Sequence, residues 1–351
     1  MFCLVLMDIR RDLTYKFKFI WIAVIFLVLI LQMGLRWQCG TDWQPYYDSF
    51  QAVTSVSDVF SDNITRTEIG YGFLSLAVRL TIDNYSLFLI IHAAVYYWLI
   101  YLSAKQICPS LSFFIVIFYS FSIGVLGSNR QLLALGLCCY GWRYVISGNK
   151  IAFFSIVTLA CFFHRSALIF SIYYFFDRRY SVFQIASVCL SGFVLGKSNL
   201  PQEAFASYLG FLGESAESKA EWYSNKSNLS DHQLSYLGIV RRILVTAICG
   251  YHYRILSPRN KYYVLLFNGY CAGLFIYLTF GDSLLILVNR GSLYFNVTES
   301  FMMAGIVYFH QMKRGGLVLV SAVFLYSIII FFQSISVYYE LFVPYKTVFG
   351  P

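Results

Sequence analysis

The sequence predicts an all-α, polytopic integral membrane protein with about 10–12 transmembrane or re-entrant helices. Three observations lead there. Hydrophobic residues make up 59% of the chain and aromatics 20%. Charged residues make up 12%, against about 25% in a soluble domain. The apolar residues fall in long runs separated by short polar stretches. This composition excludes a soluble enzyme, a disordered tail, a collagen-like fibre and a secreted disulfide scaffold.

The elements follow in order. Arg10, Arg11, Lys16 and Lys18 precede the first apolar run, 19–35. The run is long for a signal-peptide core and no A-x-A cleavage site follows, so it reads as an uncleaved first transmembrane helix. A crossing needs about 20 apolar residues, and further crossings are read at 85–103, 107–126, 131–148, 180–197, 236–256, 261–280, 291–311 and 316–337. Residues 69–82 are short and contain Arg79, which fits a re-entrant helix. Residues 151–176 are apolar except at His164-Arg165-Ser166. Each arm of that run spans about 18 Å of helix, too little for a straight crossing. The arms therefore form two short tilted helices or a V-shaped hairpin, with both ends on one side and His164-Arg165 at the bend. The whole chain, 1–351, reads as one membrane domain with two long outer loops, 36–68 and 199–235. Within the second loop Phe205, Leu209, Leu212 and Ala216 recur at helical spacing, which predicts an amphipathic surface helix.

Charge sets the orientation. With the N-terminus inside and 69–82 not crossing, the inner segments hold 14 of the 26 Lys and Arg and only three acids, Asp8, Asp12 and Asp177. The rest of the chain holds 12 basic and 14 acidic residues. The excess of inner basics matches the positive-inside rule. Basic residues occur singly or in pairs at the ends of apolar runs, so the net charge of +9 does not point to nucleic acid. The nine cysteines lie mostly inside apolar runs and form no CxxC, which points to neither a zinc site nor a disulfide framework.

Ionisable groups at membrane depth are costly and usually face a cavity. The outer half of the predicted bundle carries Arg36, Arg130, His164, Arg165, Arg241, Arg242 and Arg290. Arginine offers a planar fork that grips phosphate or carboxylate oxygens in pairs, so arginines converging from several helices suit a diphosphate. The plainer reading is helix-end snorkelling and ion pairing with Asp42, Glu68, Asp282 or Glu299. His164 interrupts an apolar segment, and interrupted membrane helices line cavities. Asp42 and Glu68 are outer carboxylates able to serve as a base if a sugar hydroxyl comes within reach. Trp37, Trp43, Tyr46, Tyr47 and Phe50 suit either stacking on sugar rings or an interfacial aromatic belt. The sequence has no Walker A loop, GxGxxG, HExxH or DxD. A reaction here therefore calls for a pre-activated substrate delivered in the membrane.

Several of these residues also form a pattern. Arg36 with Gly40-Thr41-Asp42-Trp43 and Tyr46 resembles the first-loop motif of the EpsG-like, Wzy-type polysaccharide polymerases. Glu68-Ile69-Gly70-Tyr71-Gly72-Phe73 is similar to that family's E-x-G-F step, with two residues more before the phenylalanine. Asn129-Arg130-Gln131 resembles its RQ-x-x-A helix start, and Phe163-His164-Arg165-Ser166-Ala167-Leu168 its F-H-x-S-A-L break. Arg290 with Tyr294-Phe295, and the tail Pro344-Tyr345-Lys346, resemble its late features.

The resemblance implies a GT-C-like, metal-independent glycosyltransferase without a cofactor. It implies polymerisation of oligosaccharide repeat units carried on polyprenyl (undecaprenyl) diphosphate, as for O-antigen and lipopolysaccharide, at the periplasmic face of the bacterial inner membrane. The growing chain would leave its lipid diphosphate for the non-reducing end of a new unit. Arg36, Arg130, Arg165 and Arg290 would hold the diphosphate, with Arg241 and Arg242 behind them. His164, Asp42 or Glu68 would orient or deprotonate the acceptor hydroxyl. A chain-length regulator and a flippase of the same pathway would be partners. The alternative reading is a lipid-linked oligosaccharide flippase, although the chain shows no internal repeat and its candidate charges lie on one side.

Overall fold

A computed structural model describes residues 14–61, 67–204, 236–282, 284, 288, 290–311, 316–336 and 339–350. Among them every regular element is helical, joined by isolated bridges only. The chain is an all-helical polytopic membrane protein. Among the described residues four helices are long and apolar enough to cross a bilayer: Lys16–Gly34, Tyr85–Ile107, Tyr263–Phe280 and Gly316–Ser336. The amphipathic helix expected in the second loop falls at 205–216, outside the described residues, as do Arg10, Arg11, Lys313 and Arg314.

Backbone contacts divide the chain into two units, Met1–Ser171 with Met303–Pro351, and Ile172–Met302. In the first unit, α1 (Tyr15–Gly34) begins where the Thr14 side chain accepts from the Phe17 N–H. Next come α2 (Trp43–Ala52), α3 (Val56–Val59) and α4 (Ile69–Ile82). Helix α5 (Tyr85–Ile107) starts at Asn84, whose side chain accepts from Leu87, and α6 (Leu111–Ser122) starts at Ser110 in the same way. These Asn and Ser caps satisfy backbone donors that a helix start leaves open. Helices α7 (Asn129–Ile146) and α8 (Lys150–Cys161) follow. Helix α5 packs on α1 and α7, and α7 on α8.

In the second unit α9 (Val182–Gly196) and α10 (Tyr236–Leu256) both pack on α11 (Tyr263–Phe280). The run expected at 291–311 is two helices, α12 (Leu293–Asn296) and α13 (Thr298–His310), with Val297 between them. Helix α13 passes into the first unit, where α14 (Gly316–Ser336) packs on α6 and α15 (Tyr339–Phe342) precedes the tail.

The interrupted run at 151–176 is a hairpin. Its first arm is α8 and its second is a 3₁₀ helix, Arg165–Phe175. Phe153 lies about 16 Å before the break and Phe170 about 12 Å after it along their helices. Their ring centroids are nevertheless 6.0 Å apart. The arms therefore fold back beside each other, with His164 and Arg165 at the apex.

Candidate active site

The hairpin apex is built by the backbone first. His164 N–H closes onto Ala160 O (2.9 Å), and Ala167 N–H returns to His164 O (3.0 Å). The His164 side chain is 8% exposed. Its Nδ1 lies 2.6 Å from the Ser166 hydroxyl and accepts from the Ser166 N–H at 3.3 Å. A backbone N–H only donates, so Nδ1 is the accepting nitrogen and the proton of the neutral ring sits on Nε2.

The start of α4 docks against this apex. Gly70 N–H donates to Phe162 O (2.8 Å), and a Cβ on Gly70 would lie 2.8 Å from that same oxygen. Only glycine permits so close an approach. It brings Glu68, the residue before α4, to the break. Glu68 Oε1 accepts from the Arg165 N–H (3.3 Å), and Oε2 pairs with Arg130 Nη1 (2.5 Å). Arg130 stands in the first turn of α7, and its Nε donates to the Tyr46 hydroxyl (3.2 Å). The pair is sheltered but open on one side, with 21% of the Arg130 side chain and 12% of Glu68 exposed. Burial pushes the Tyr46 phenol up from its ordinary value, against the pull of Arg130, so it stays neutral.

Three helix starts thus meet around one carboxylate: α4, α7 and the 3₁₀ arm. Helix starts carry unpaired N–H groups and a partial positive charge. Together with Arg130 and the exposed Arg165 side chain, they make the surroundings of Glu68 electropositive. Such a place attracts an anion that can displace Glu68 from Arg130.

Behind this node lies a buried polar network. Arg36 is 0% exposed. Its guanidinium donates to the Leu126 carbonyl and to Asn129 Oδ1. Asn129 Nδ2 donates to the Tyr71 hydroxyl (3.2 Å), and Asn129 O accepts from His92 Nε2 (2.8 Å). The Gly40 and Gly127 backbones abut beside it. Gly40 has φ +95°, and a Cβ there would lie 2.9 Å from Gly127 Cα.

The structure therefore brings Glu68, Arg130, His164 and Arg165 together, with Arg36 as a buried anchor behind them. Asp42 is half-buried just before α2, and its charge acts on Tyr46 one turn later. Trp43, Tyr46 and Phe50 are buried in a mutual aromatic cluster, which leaves Trp37 and Tyr47 as the partly open rings. In the second unit, Arg241 is 3.9 Å from the wholly buried Glu299, which also accepts from the Tyr270 hydroxyl (3.1 Å). Arg242 lies over the Tyr277 ring at 3.7 Å. Arg290 is exposed before α12. Asn129 and Tyr71, which complete the network around Arg36, sit inside the sequence motifs at 129–131 and 68–73, but no local pattern marks them as polar partners there.

The model of the EpsG family matches residues 19–347. No curated protein and no solved structure matches the chain.

Proposed function

This chain belongs to the EpsG family of polysaccharide-polymerase-like membrane proteins, and from that premise we propose that it polymerises polyprenyl-diphosphate-linked oligosaccharide repeat units at the periplasmic face of the bacterial inner membrane. The observation that carries the reading is the Glu68–Arg130 pair at the hairpin apex, bonded to the Arg165 N–H and next to His164.

The chemistry follows from that arrangement. The donor diphosphate takes Arg130 from Glu68 and is held also by Arg165, with Arg36 fixing the start of α7 behind. An acceptor sugar hydroxyl attacks the anomeric carbon of the donor chain. The new C–O bond forms as the bond to the diphosphate oxygen breaks, and the lipid diphosphate leaves with the electron pair. Arg130, Arg165 and the helix starts stabilise that growing charge. Glu68, released from Arg130, has a free oxygen for the hydroxyl proton, and Asp42 is the second carboxylate near Tyr46. His164, protonated on Nε2, orients the acceptor oxygen as a donor. A chain-length regulator and a flippase act in the same pathway.

Deletion of the gene tests the reading through the surface polysaccharide seen on gels. Loss of a polymerase leaves lipid core capped with one repeat unit. Loss of a flippase leaves none, and that outcome would replace this proposal with the transport reading.

A further inference from the structure

The C-terminal tail returns to the stretch that leaves α1. Trp37 N–H donates to Lys346 O (3.0 Å) and Val348 N–H donates to Leu35 O (2.9 Å). These bonds set Arg36 opposite Thr347 in antiparallel register. Gly40 N–H donates to Leu341 O (3.1 Å), and the Tyr345 hydroxyl donates to Gln32 O (2.5 Å). Between these bonds Gln38 takes φ +49°, a left-handed conformation that a non-glycine residue holds only when its surroundings impose it.

The gripped stretch carries Arg36. Its charge is wholly buried, and among the described residues no carboxylate lies within ion-pair distance of it. Burying a guanidinium costs far more than burying an apolar side chain of similar size. What the charge does there is geometric. It ties the stretch to Leu126 O, three residues before α7, and to Asn129 Oδ1 at the first residue of α7. Arg130 is the next residue.

We propose that residues 345–348 are a positioning clamp for Arg130, acting through Arg36 and Asn129. The proposal rests on the reading of Arg130 as the diphosphate ligand. The tail touches no reacting atom in this account. It holds the 35–37 stretch, Arg36 transmits that hold to the start of α7, and the Arg130 fork keeps its aim. A misplacement of about 1 Å at such a contact costs about 10²-fold in rate.

A redox lock tests this. Leu35 and Val348 lie opposite each other in the antiparallel register, a spacing that a disulfide can bridge. In a Cys39→Ser background, Tyr345→Ala loosens the clamp, and Leu35→Cys with Val348→Cys relocks it on oxidation. The purified protein is assayed for polymer formation from a lipid-diphosphate-linked repeat unit, and for amide exchange at residues 129–132. The reduced protein should transfer roughly tenfold or more slowly, with faster exchange at 129–132, and oxidation should reverse both. Because one folded sample is read in both states, a general folding defect does not produce this reversal. Equal transfer and equal exchange in the two states would overturn the clamp. Redox-dependent exchange at 129–132 in a protein whose parent makes no polymer would uphold the clamp while removing the polymerase reading. Tyr345→Phe, which deletes only the hydroxyl bond to Gln32, should give the same exchange change in smaller size.

Discussion

Arg130→Lys keeps the charge at the hairpin apex and removes the fork. In the structure Arg130 uses Nη1 for Glu68 and Nε for Tyr46, which leaves its other guanidinium hydrogens for a ligand. A lysine retains one contact, to Glu68, and cannot hold Tyr46 and a diphosphate oxygen in the same plane. Hydrogen bonds to charged groups contribute about 1.5–3 kcal/mol each. Losing one such prong in the transition state slows each transfer by about 10- to 150-fold. The folding cost is smaller. The pair is partly exposed, and exposed ion pairs contribute about 1 kcal/mol or less, so the variant should insert and accumulate normally. The assay is a polysaccharide ladder on gels beside the protein level and a detergent melting curve. The expected result is a ladder collapsed toward single repeats with unchanged protein. A wild-type ladder from Arg130→Lys combined with Arg165→Lys would refute the diphosphate role of the apex.

Other outcomes follow from the same geometry. His164→Ala and His164→Gln should both remove long polymer if Nε2–H orients the acceptor, whereas full-length polymer from His164→Gln would reduce the residue to a buried hydrogen-bonding role. Gly70→Ala would set a Cβ 2.8 Å from Phe162 O; the start of α4 must shift, at a cost of about 1–3 kcal/mol, visible as a lower melting temperature together with shortened polymer. Asp58, held at a pKa of about 2 chiefly by the Thr54 hydroxyl and N–H and by Ser55, should stabilise its turn above the ordinary carboxylate pKa and lose that contribution as pH falls through about 2. Asp58→Asn should then raise amide exchange at 54–58 at neutral pH and leave the difference small at pH 2. Cysteine placed at Gln44 should be labelled from outside intact spheroplasts and cysteine at Lys105 only after permeabilisation; the reverse pattern would invert the orientation.

The helical architecture was readable because burial in a bilayer leaves long apolar runs, and each expected crossing falls on helix, although among the described residues four of these helices are long and apolar enough to span. The break at His164 was readable for the same reason, since each arm was too short to span. The 3₁₀ form of the second arm was not, because apolar composition does not distinguish 3.0 from 3.6 residues per turn. The apex was harder. Glu68 and Arg130 lie 62 residues apart in sequence, and nothing in either local pattern states that Gly70 lets α4 reach Phe162. Arg36 reads in sequence as an outer arginine like the others. Its burial depends on how α7 packs and on the tail, and the tail's pairing uses backbone groups that leave no side-chain periodicity.

The central claim is that this chain joins lipid-linked repeat units, and reconstitution tests it most directly. The purified protein in vesicles, supplied with a polyprenyl-diphosphate-linked repeat unit on the side of Gln44, should yield a ladder of two units and more while releasing one polyprenyl diphosphate per bond formed. Glu68→Gln and Arg130→Lys should suppress both products together. Movement of the unit across the membrane with no ladder and no released lipid diphosphate would contradict the account.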